Sequence, residues 1–249
     1  MGSDQKGTVA SLFTFWEGTP DRPRTNAGWN EIDVEIVPSI ADTTGAFWTN
    51  IIHSNVQKDS QSIANFNPEQ NWHEYTIEWQ PSFIAWSLDG VEVRRESSPR
   101  ASVDYLASNW WKKQHLFMDF WTPEFWLWGN GLDDSQMPFY TRYDYVEAYD
   151  WDSSNGYTLK WRDDFDTLDT NRWNVANGWS YASNSSSFVR PNVYVKDGKL
   201  VLRMNKTGTD PGEDPGEPLP DNWPPPSIDL PLYKWKKPCD ADDKANWGD

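Results

Sequence analysis

The sequence predicts an all-β protein built as an antiparallel β-sandwich. Short segments rich in aromatic and β-branched residues recur along the chain, and Pro, Gly, Asp and Asn separate them. One segment, residues 30–36, alternates polar and aliphatic side chains, which is the period of a strand with one buried face. A helical pattern is absent except for a turn near residues 103–108. Many short strands with frequent turns are typical of a sandwich.

The first part of the chain carries the clearest strand signals. In order, we expect a buried strand over 7–16, a loop over 17–28, the alternating strand, a further strand over 46–53 and a polar loop over 55–70.

The remaining strands follow in closely spaced pairs. Residues 72–79 and 83–95 are expected to pair through Pro81-Ser82, with a second turn at Asp89-Gly90. Further strands are predicted at 116–121, 140–151, 157–161 and, as two strands, within 188–203.

Composition divides the chain at residue 206. Residues 1–206 are predicted to form the β-sandwich domain, whereas residues 207–249 form an acidic, Pro-rich linker and tail. Such a composition buries too little apolar surface to fold alone, so we expect disorder there. The single cysteine, Cys239, lies in this tail and excludes an internal disulfide framework.

Charge and aromatic content narrow the function classes. The net charge of −16 argues against binding to nucleic acids or anionic membranes, because no basic patch is available to neutralise phosphates. The 18 Trp, 10 Tyr and 11 Phe exceed what one core needs. Flat aromatic faces suit stacking on sugar rings, so a carbohydrate partner is favoured.

The alternating strand places Glu31, Asp33 and Glu35 on one face. A row of like charges is costly, which favours a working site, although a solvated acidic face on an edge strand fits the spacing equally well. Glycoside hydrolysis needs two carboxyl groups around one bond. Repulsion between neighbouring carboxylates would keep one Glu protonated as a general acid.

The segment WNEIDVE at residues 29–35 resembles the active-site signature of glycoside hydrolase family 16. The likeness extends to other segments, namely residues 7–13, 45–52, 72–79, 84–90 and 165–173. The last of these is similar to the family's usual N-terminal segment but comes late here. That order resembles the circularly permuted 1,3-1,4-β-glucanases (licheninases) of the family.

This resemblance implies a concanavalin-like jelly roll in circularly permuted order. In the relatives, a hairpin lies between the segments that match residues 200–203 and 7–13. Only six residues precede Gly7, so we expect about two strands to be absent at the N-terminus.

The resemblance also implies the catalytic roles. Glu31 would be the nucleophile, Glu35 the general acid/base and Asp33 a hydrogen-bonding group between them. The implied activity is that of a retaining endo-β-glucanase acting on mixed-linkage 1,3-1,4-β-glucan. The strand lacks the one-residue bulge of laminarinase-like members, so plain 1,3-glucan cleavage is less expected. Action on xyloglucan or red-algal galactans, and a non-catalytic glucan-binding module, remain open.

Seven residues match cleft positions of the family and are predicted to bind substrate: Trp29, Asn50, Phe13, Phe15, Trp121, Trp128 and Trp179. For each aromatic residue, packing in the core is the alternative. Asp119 replaces a neutral residue of the family pattern.

No cofactor is expected for catalysis, but a structural Ca²⁺ is implied by the family pattern. Asp144 and Gly198 match ligand positions, and Asp164 is a third candidate. We expect a monomer that meets its polysaccharide outside the cell, although residues 1–6 show no hydrophobic region of a signal peptide.

Overall fold

The protein is described by a computed structural model that covers residues 5–16, 30–38, 46–53, 56–57, 60–63, 71–80, 82–97, 114–124, 131–210, 212, 214 and 233–235. In these residues the strands, in chain order, are β1 (Val9–Trp16), β2 (Asn30–Ile36), β3 (Ala46–His53), β4 (Val56–Gln57), β5 (Ser60–Ile63), β6 (Tyr75–Gln80), β7 (Phe83–Leu88), β8 (Val91–Ser97), β9 (His115–Trp121), β10 (Phe139–Tyr143), β11 (Val146–Asp152), β12 (Gly156–Asp163), β13 (Val193–Lys196), β14 (Lys199–Met204) and β15 (Tyr233–Trp235). Two short 3-10 turns lie at Asp134–Gln136 and Arg190–Asn192.

The largest sheet has the order β15-β5-β3-β2-β1-β9, and β4 also pairs with β3. All its pairings are antiparallel. The alternating strand β2 therefore lies between β1 and β3. Its aliphatic residues Ile32, Val34 and Ile36 are fully buried in the core, as the period of the sequence predicts.

Three smaller antiparallel sheets complete the sandwich within the described residues: β6-β7-β8, β10-β14-β13 and β11-β12. Trp86 from β7, Phe139 from β10 and Leu200 from β14 all pack in the same core cluster as Val34. Phe165, beyond β12, is fully buried in it as well. The predicted all-β, antiparallel jelly-roll β-sandwich is confirmed.

The turn between β7 and β8 shows why the local sequence favours a hairpin. Asp89 and Gly90 both adopt positive φ angles, 50° and 76°. An Asp-Gly pair tolerates this conformation, whose twist matches that of the flanking strands. The predicted turn at Asp89-Gly90 is confirmed.

Two sequence predictions are wrong. The polar loop expected over 55–70 contains β4 and β5, and β5 pairs with β3 through Ala46↔Ile63 and Thr49↔Ser60. The segment Ser60–Ile63 is too polar to show a buried face, but the neighbouring backbone of β3 stabilises it. The single strand expected over 140–151 is two strands, since the pairing with β14 ends at Tyr143 and the pairing with β12 begins at Val146.

The predicted domain boundary at residue 206 stays a prediction. Beyond it, Asp214 is 8% exposed, and its carboxylate accepts hydrogen bonds from Arg142 at 2.7 Å and from the Tyr194 hydroxyl at 2.9 Å. The acidic segment therefore contacts the β10-β14-β13 sheet at this residue. Among the described residues, no helix has the length and apolar character needed to cross a membrane. The turn predicted near 103–108 lies outside the described residues.

Candidate active site

The face of the large sheet opposite the core carries the three predicted catalytic carboxylates. The register places Glu35 beside Ser11, Asp33 beside Phe13, and Glu31 beside Phe15. Since Ile32 and Val34 point into the core, the acidic residues that alternate with them along the strand point to the other face. This surface, formed by β3, β2, β1 and β9, is called the cleft floor below.

Asp33 lies at the centre of the cleft floor and is only 3% exposed. Burial raises the pKa of its carboxyl well above the usual value, and the charges of Glu31 and Glu35 raise it further. Asp33 also hydrogen-bonds Glu31, which raises its pKa, and Asn50, which lowers it. The raised pKa favours the protonated form of Asp33, which can donate a hydrogen bond to Glu31.

Asn50 lies directly opposite Asp33 on β3 and is also 3% exposed. Its Oδ1 and the Oδ1 of Asp33 are buried without a hydrogen-bond partner in the structure. A buried acceptor without a partner is costly, so an oriented donor on a ligand would be favoured here. The structure thus brings the predicted substrate residue Asn50 together with the acids.

Two side chains from the neighbouring sheet hold this part of the cleft floor from behind. The Trp86 indole donates to the backbone carbonyl of Asp33 at 2.9 Å, and Trp86 is fully buried. Arg94 lies over the Trp86 ring at 4.6 Å and donates to the carbonyl and hydroxyl of Thr49, each at 3.0 Å. These contacts fix β2 at Asp33 and β3 at Thr49.

Aromatic side chains pave the cleft floor beside the acids. Phe13 stacks on Phe117 of β9 with ring centroids 5.1 Å apart, and Phe15 meets the edge of Phe117 at 5.9 Å. The predicted residues Phe13 and Phe15 therefore lie on the expected face. Phe117 was not predicted, although its place in the alternating segment Leu116–Trp121 gives it the same orientation.

A second aromatic group forms a wall at one end of the cleft floor, on the segment 179–188. Trp121 is buried against Tyr181, with ring centroids 5.2 Å apart, and Tyr181 packs on Phe188 at 5.5 Å. Trp179 contacts Phe188 at 5.3 Å and is 48% exposed. Of the predicted aromatic residues, Trp179 thus offers an open ring, whereas Trp121 serves mainly to support the wall.

Asp119 is a fourth carboxyl group on the cleft floor. It lies beside Ser11, which in turn lies beside Glu35. Ser11 donates a hydrogen bond to Oδ1 of Asp119, and the Tyr181 hydroxyl lies 3.3 Å from Oδ2. Burial raises the pKa of Asp119 to about 7, and the charge of Glu31 contributes to the increase.

The polar contacts around Asp119, which the sequence marks only as a departure from the family pattern, share one property. Ser11, Asp119 and Tyr181 gain their roles from contacts over 62 to 108 positions of sequence. The strand alternation could have placed Ser11 and Asp119 on the cleft face, but nothing local indicates Tyr181. Trp29 and Trp128, predicted to bind substrate, lie outside the described residues.

Two of the predicted calcium ligands, Asp144 and Asp164, lie beside cations. Tyr143 pairs with Leu200, which brings Asp144 beside the turn at Gly198 as expected. However, Lys199 lies 3.6 Å from the Asp144 carboxylate, and Arg162 pairs with Asp164 at 2.6 Å. Among the described residues, no three His, Cys, Asp or Glu side chains cluster as a metal site. The Ca²⁺ and its three candidate ligands, Asp144, Gly198 and Asp164, stay predictions.

Sequence comparison gives the family. Residues 2–163 match the profile of glycosyl hydrolases family 16, and the chain belongs to this family. It is 30% identical over 214 residues to a beta-glucanase of Fibrobacter succinogenes (strain ATCC 19169 / S85), which covers 81% of this chain and 57% of that protein. It is also 29% identical over 146 residues to xyloglucan endotransglucosylase/hydrolase protein 22 of Arabidopsis thaliana, with coverages of 55% and 46%.

Among solved structures, the chain is similar to a prokaryotic beta-1,3-1,4-glucanase (lichenase) derived from a mouse hindgut metagenome. The TM-score is 0.39 at 25% identity, over 53% of this chain and 54% of that one. The chain spans about half the length of most of the curated relatives that it matches. The permuted order stays a prediction.

Proposed function

We propose that the protein is a retaining endo-β-glucanase that hydrolyses mixed-linkage 1,3-1,4-β-glucan. The row of Glu31, Asp33 and Glu35 on the cleft floor carries this proposal, with Asp33 buried between the two glutamates. Family membership supports a glycosidase, and the beta-glucanase relative supports the substrate class. The linkage and the stereochemical outcome are part of the proposal.

The proposed reaction has two steps. Glu35 protonates the oxygen of the leaving sugar while Glu31 attacks the anomeric carbon and forms a glycosyl-enzyme ester. Glu35, now ionised, takes a proton from water, and the resulting hydroxide displaces Glu31 with a second inversion at the same carbon. The net result is retention of configuration.

Asp33 is proposed to act on the nucleophile. While Glu31 is ionised, the proton of Asp33 stabilises it through a hydrogen bond, and the neutral Asp33 adds no further negative charge. When Glu31 becomes an ester, that bond weakens. The same hydrogen bond then favours the departure of Glu31 as a carboxylate in the second step.

The aromatic residues are proposed to hold the sugar chain. Phe13, next to Asp33, and the open ring of Trp179 lie on the cleft side, where flat apolar faces can stack on pyranose rings. Asn50 offers a buried acceptor to a sugar hydroxyl next to Asp33. Because the proposed substrate is a polymer, we also propose that the protein acts outside the cell. We propose further that it is a monomer.

A second candidate activity is action on xyloglucan, favoured by the similarity to the Arabidopsis thaliana enzyme. This activity would use the same proposed catalytic acids, but the aromatic wall would have to accept different sugars. A substrate panel separates the two candidates.

The test measures reducing-sugar release from lichenan, barley glucan, laminarin, xyloglucan and agar. We expect release from the first two, with the β-anomer as the first product in proton NMR spectra. Release from xyloglucan alone would favour the second candidate. A first product in the α-configuration would contradict the retaining mechanism. A folded protein that releases no sugar from any of the five polysaccharides would overturn both activities.

A further inference from the structure

The polar contacts around Asp119 form a network that the proposed chemistry does not use. Ser11 donates to one oxygen of the carboxyl group, and the hydroxyl of Tyr181 lies 3.3 Å from the other. Ser11 is 2% exposed and is fixed further by its backbone carbonyl, which accepts a hydrogen bond from Tyr143 at 2.7 Å. The network ties β1, β9 and β10 to the aromatic wall.

The hydrogen-bond network has two states, which differ in whether the Asp119 carboxyl group is ionised or protonated. An ionised carboxylate only accepts, so Tyr181 must donate its single proton to Asp119. A protonated carboxyl can instead donate from Oδ2 to the oxygen of Tyr181. In that state, the hydroxyl proton of Tyr181 is released to another acceptor.

The cleft is where such an acceptor would lie. Burial raises the pKa of the Tyr181 phenol, and the charges of Asp119, Glu35 and Glu31 raise it further, so both proposed catalytic acids lie close enough to act on it. Its phenol stays protonated and acts as a donor. In the proposed complex, the hydroxyl groups of a sugar held at Glu31 and Glu35 are the acceptors available to it.

We propose that Asp119 is a positioning residue, whose proton decides whether the Tyr181 hydroxyl donates to Asp119 or to a hydroxyl group of the bound glucan. This inference rests on the proposed function for the identity of the ligand. It concerns the free protein as well, since the two states differ before any sugar binds.

The electrostatic surroundings place the change near neutral pH. Burial raises the pKa of Asp119 to about 7, the hydrogen bonds from Ser11 and Tyr181 lower it, and the charge of Glu31 raises it. Tyr143 faces Asp119 from β10, and the Asp119 charge raises the pKa of that phenol. Glu35 lies in the same row, two strands away.

The first experiment follows the free protein. Carbon-13 NMR of the aspartate carboxyl groups should show a group that titrates near pH 7 and is lost in Asp119→Asn. Tyr181→Phe should raise this pKa, because it removes a donor, and Glu31→Gln should lower it, because it removes a charge. Titration of Asp119 at the ordinary value of an aspartate overturns the inference.

The second experiment measures binding of a mixed-linkage glucan tetrasaccharide by calorimetry at pH 5.5 and pH 8.5, in a Glu35→Gln background that prevents turnover. With Asp119 present, binding should weaken by about five-fold at the higher pH, the effect of one lost hydrogen bond. The side-chain amide introduced by Asp119→Asn can donate to the Tyr181 oxygen at every pH, so this variant should bind equally well at both. Tyr181→Phe should bind weakly at both.

These patterns separate the inference from the proposed function. Asp119→Asn retains Asp33, so it controls for the titration of the other buried acid. Equal binding at both pH values with Asp119 present overturns the inference and leaves the proposed function intact. If no glucan binds at either pH, the proposed substrate and the role of Tyr181 towards it are both overturned.

Discussion

On the β11–β12 hairpin, Glu147 and Asp150 lie beside cations, whereas on the cleft floor the acids lie beside one another. Arg162 pairs with Glu147 and Asp164, each at 2.6 Å, and Lys160 pairs with Asp150 at 2.8 Å. On the cleft floor, the charges that act on Asp33 are those of Glu31 and Glu35. Both surfaces belong to antiparallel strands.

The consequences for protonation are opposite. Hydrogen bonds from Tyr149 and Arg162 lower the pKa of Glu147, so it stays ionised. Burial and like charge raise the pKa values of Asp33 and Asp119, which favours their protonated forms. The hairpin is arranged for solubility and modest stability, while the cleft floor retains acids in a state suited to proton transfer.

The largest expected difference between the two surfaces is in turnover. Glu31→Gln should lower kcat on mixed-linkage glucan by roughly 10³-fold or more, because no nucleophile remains to form the ester. Glu147→Gln, the matched change on the hairpin, should stay within about two-fold of the wild type, as expected for a surface change away from a site. Initial rates of reducing-sugar release give both values. An active Glu31→Gln variant would remove the central role of the cleft acids.

Glu35 should show its role through the leaving group. Glu35→Gln is expected to lose roughly 10²- to 10⁴-fold in activity on the polysaccharide, because the leaving oxygen is no longer protonated. Aryl glycosides with acidic phenols need less protonation, so glycosyl transfer to the enzyme should lose far less with them. Burst kinetics compare the two substrates. An equal loss on both would contradict the general-acid role.

Trp86 supports the acids from behind, and its removal should affect stability and rate together. Trp86→Phe removes the donor to the Asp33 carbonyl and leaves part of a buried site empty, at a cost of about 2 kcal/mol. Urea unfolding measures the loss. The control is Trp151→Phe, because Trp151 is a half-buried residue of the β11–β12 hairpin. We expect this change to have little effect on stability. Equal effects of the two changes would show that Trp86 has no special role.

Asp33 should make stability fall as pH rises. Its pKa in the folded protein is raised, so its contribution is fully present below the unfolded value of about 4 and is lost as pH rises through the folded value. Asp33→Asn removes this loss and should therefore gain stability over the wild type with increasing pH, while losing activity. Thermal melting at several pH values checks the sign. The opposite trend, in which the variant loses stability relative to the wild type towards high pH, would contradict the raised pKa.

The smallest expected effect is that of the hairpin ion pairs. Arg162 is partly exposed, and exposed pairs contribute about 0–1 kcal/mol. Arg162→Met should therefore lower the free energy of unfolding by less than about 1 kcal/mol, and salt should reduce the difference further. A loss as large as that of Trp86→Phe would show that the pairs stabilise the fold.

The same contrast explains how far the sequence could predict the site. The alternation of residues 30–36 is local information, and it predicted the strand, its buried face and the facing of the three acids. The polar segment Ser60–Ile63 carries no such pattern, and its pairing with the backbone of β3 is not visible from local sequence. The sequence predicts a single strand over 140–151, because the interruption at Asp144 has no Pro or Gly to mark it.

The Asp119 network lay beyond local information for a different reason. Its members come from three separate parts of the chain, and the fold alone brings Tyr181 to Asp119. The sequence does show that Asp119 departs from the family pattern. It does not show that two hydroxyl groups meet it there.

The central claim is that Glu31 attacks the sugar and Glu35 acts as acid and base. A mixed-linkage oligosaccharide with fluorine at C2 of the reacting sugar and a good leaving group should trap the glycosyl-enzyme, because fluorine slows the second step more than the activated first step. Mass spectrometry of the digested protein should then find the added sugar on the peptide that contains Glu31, specifically on Glu31. A label on Glu35, or turnover of the polysaccharide with no label anywhere, would contradict this account.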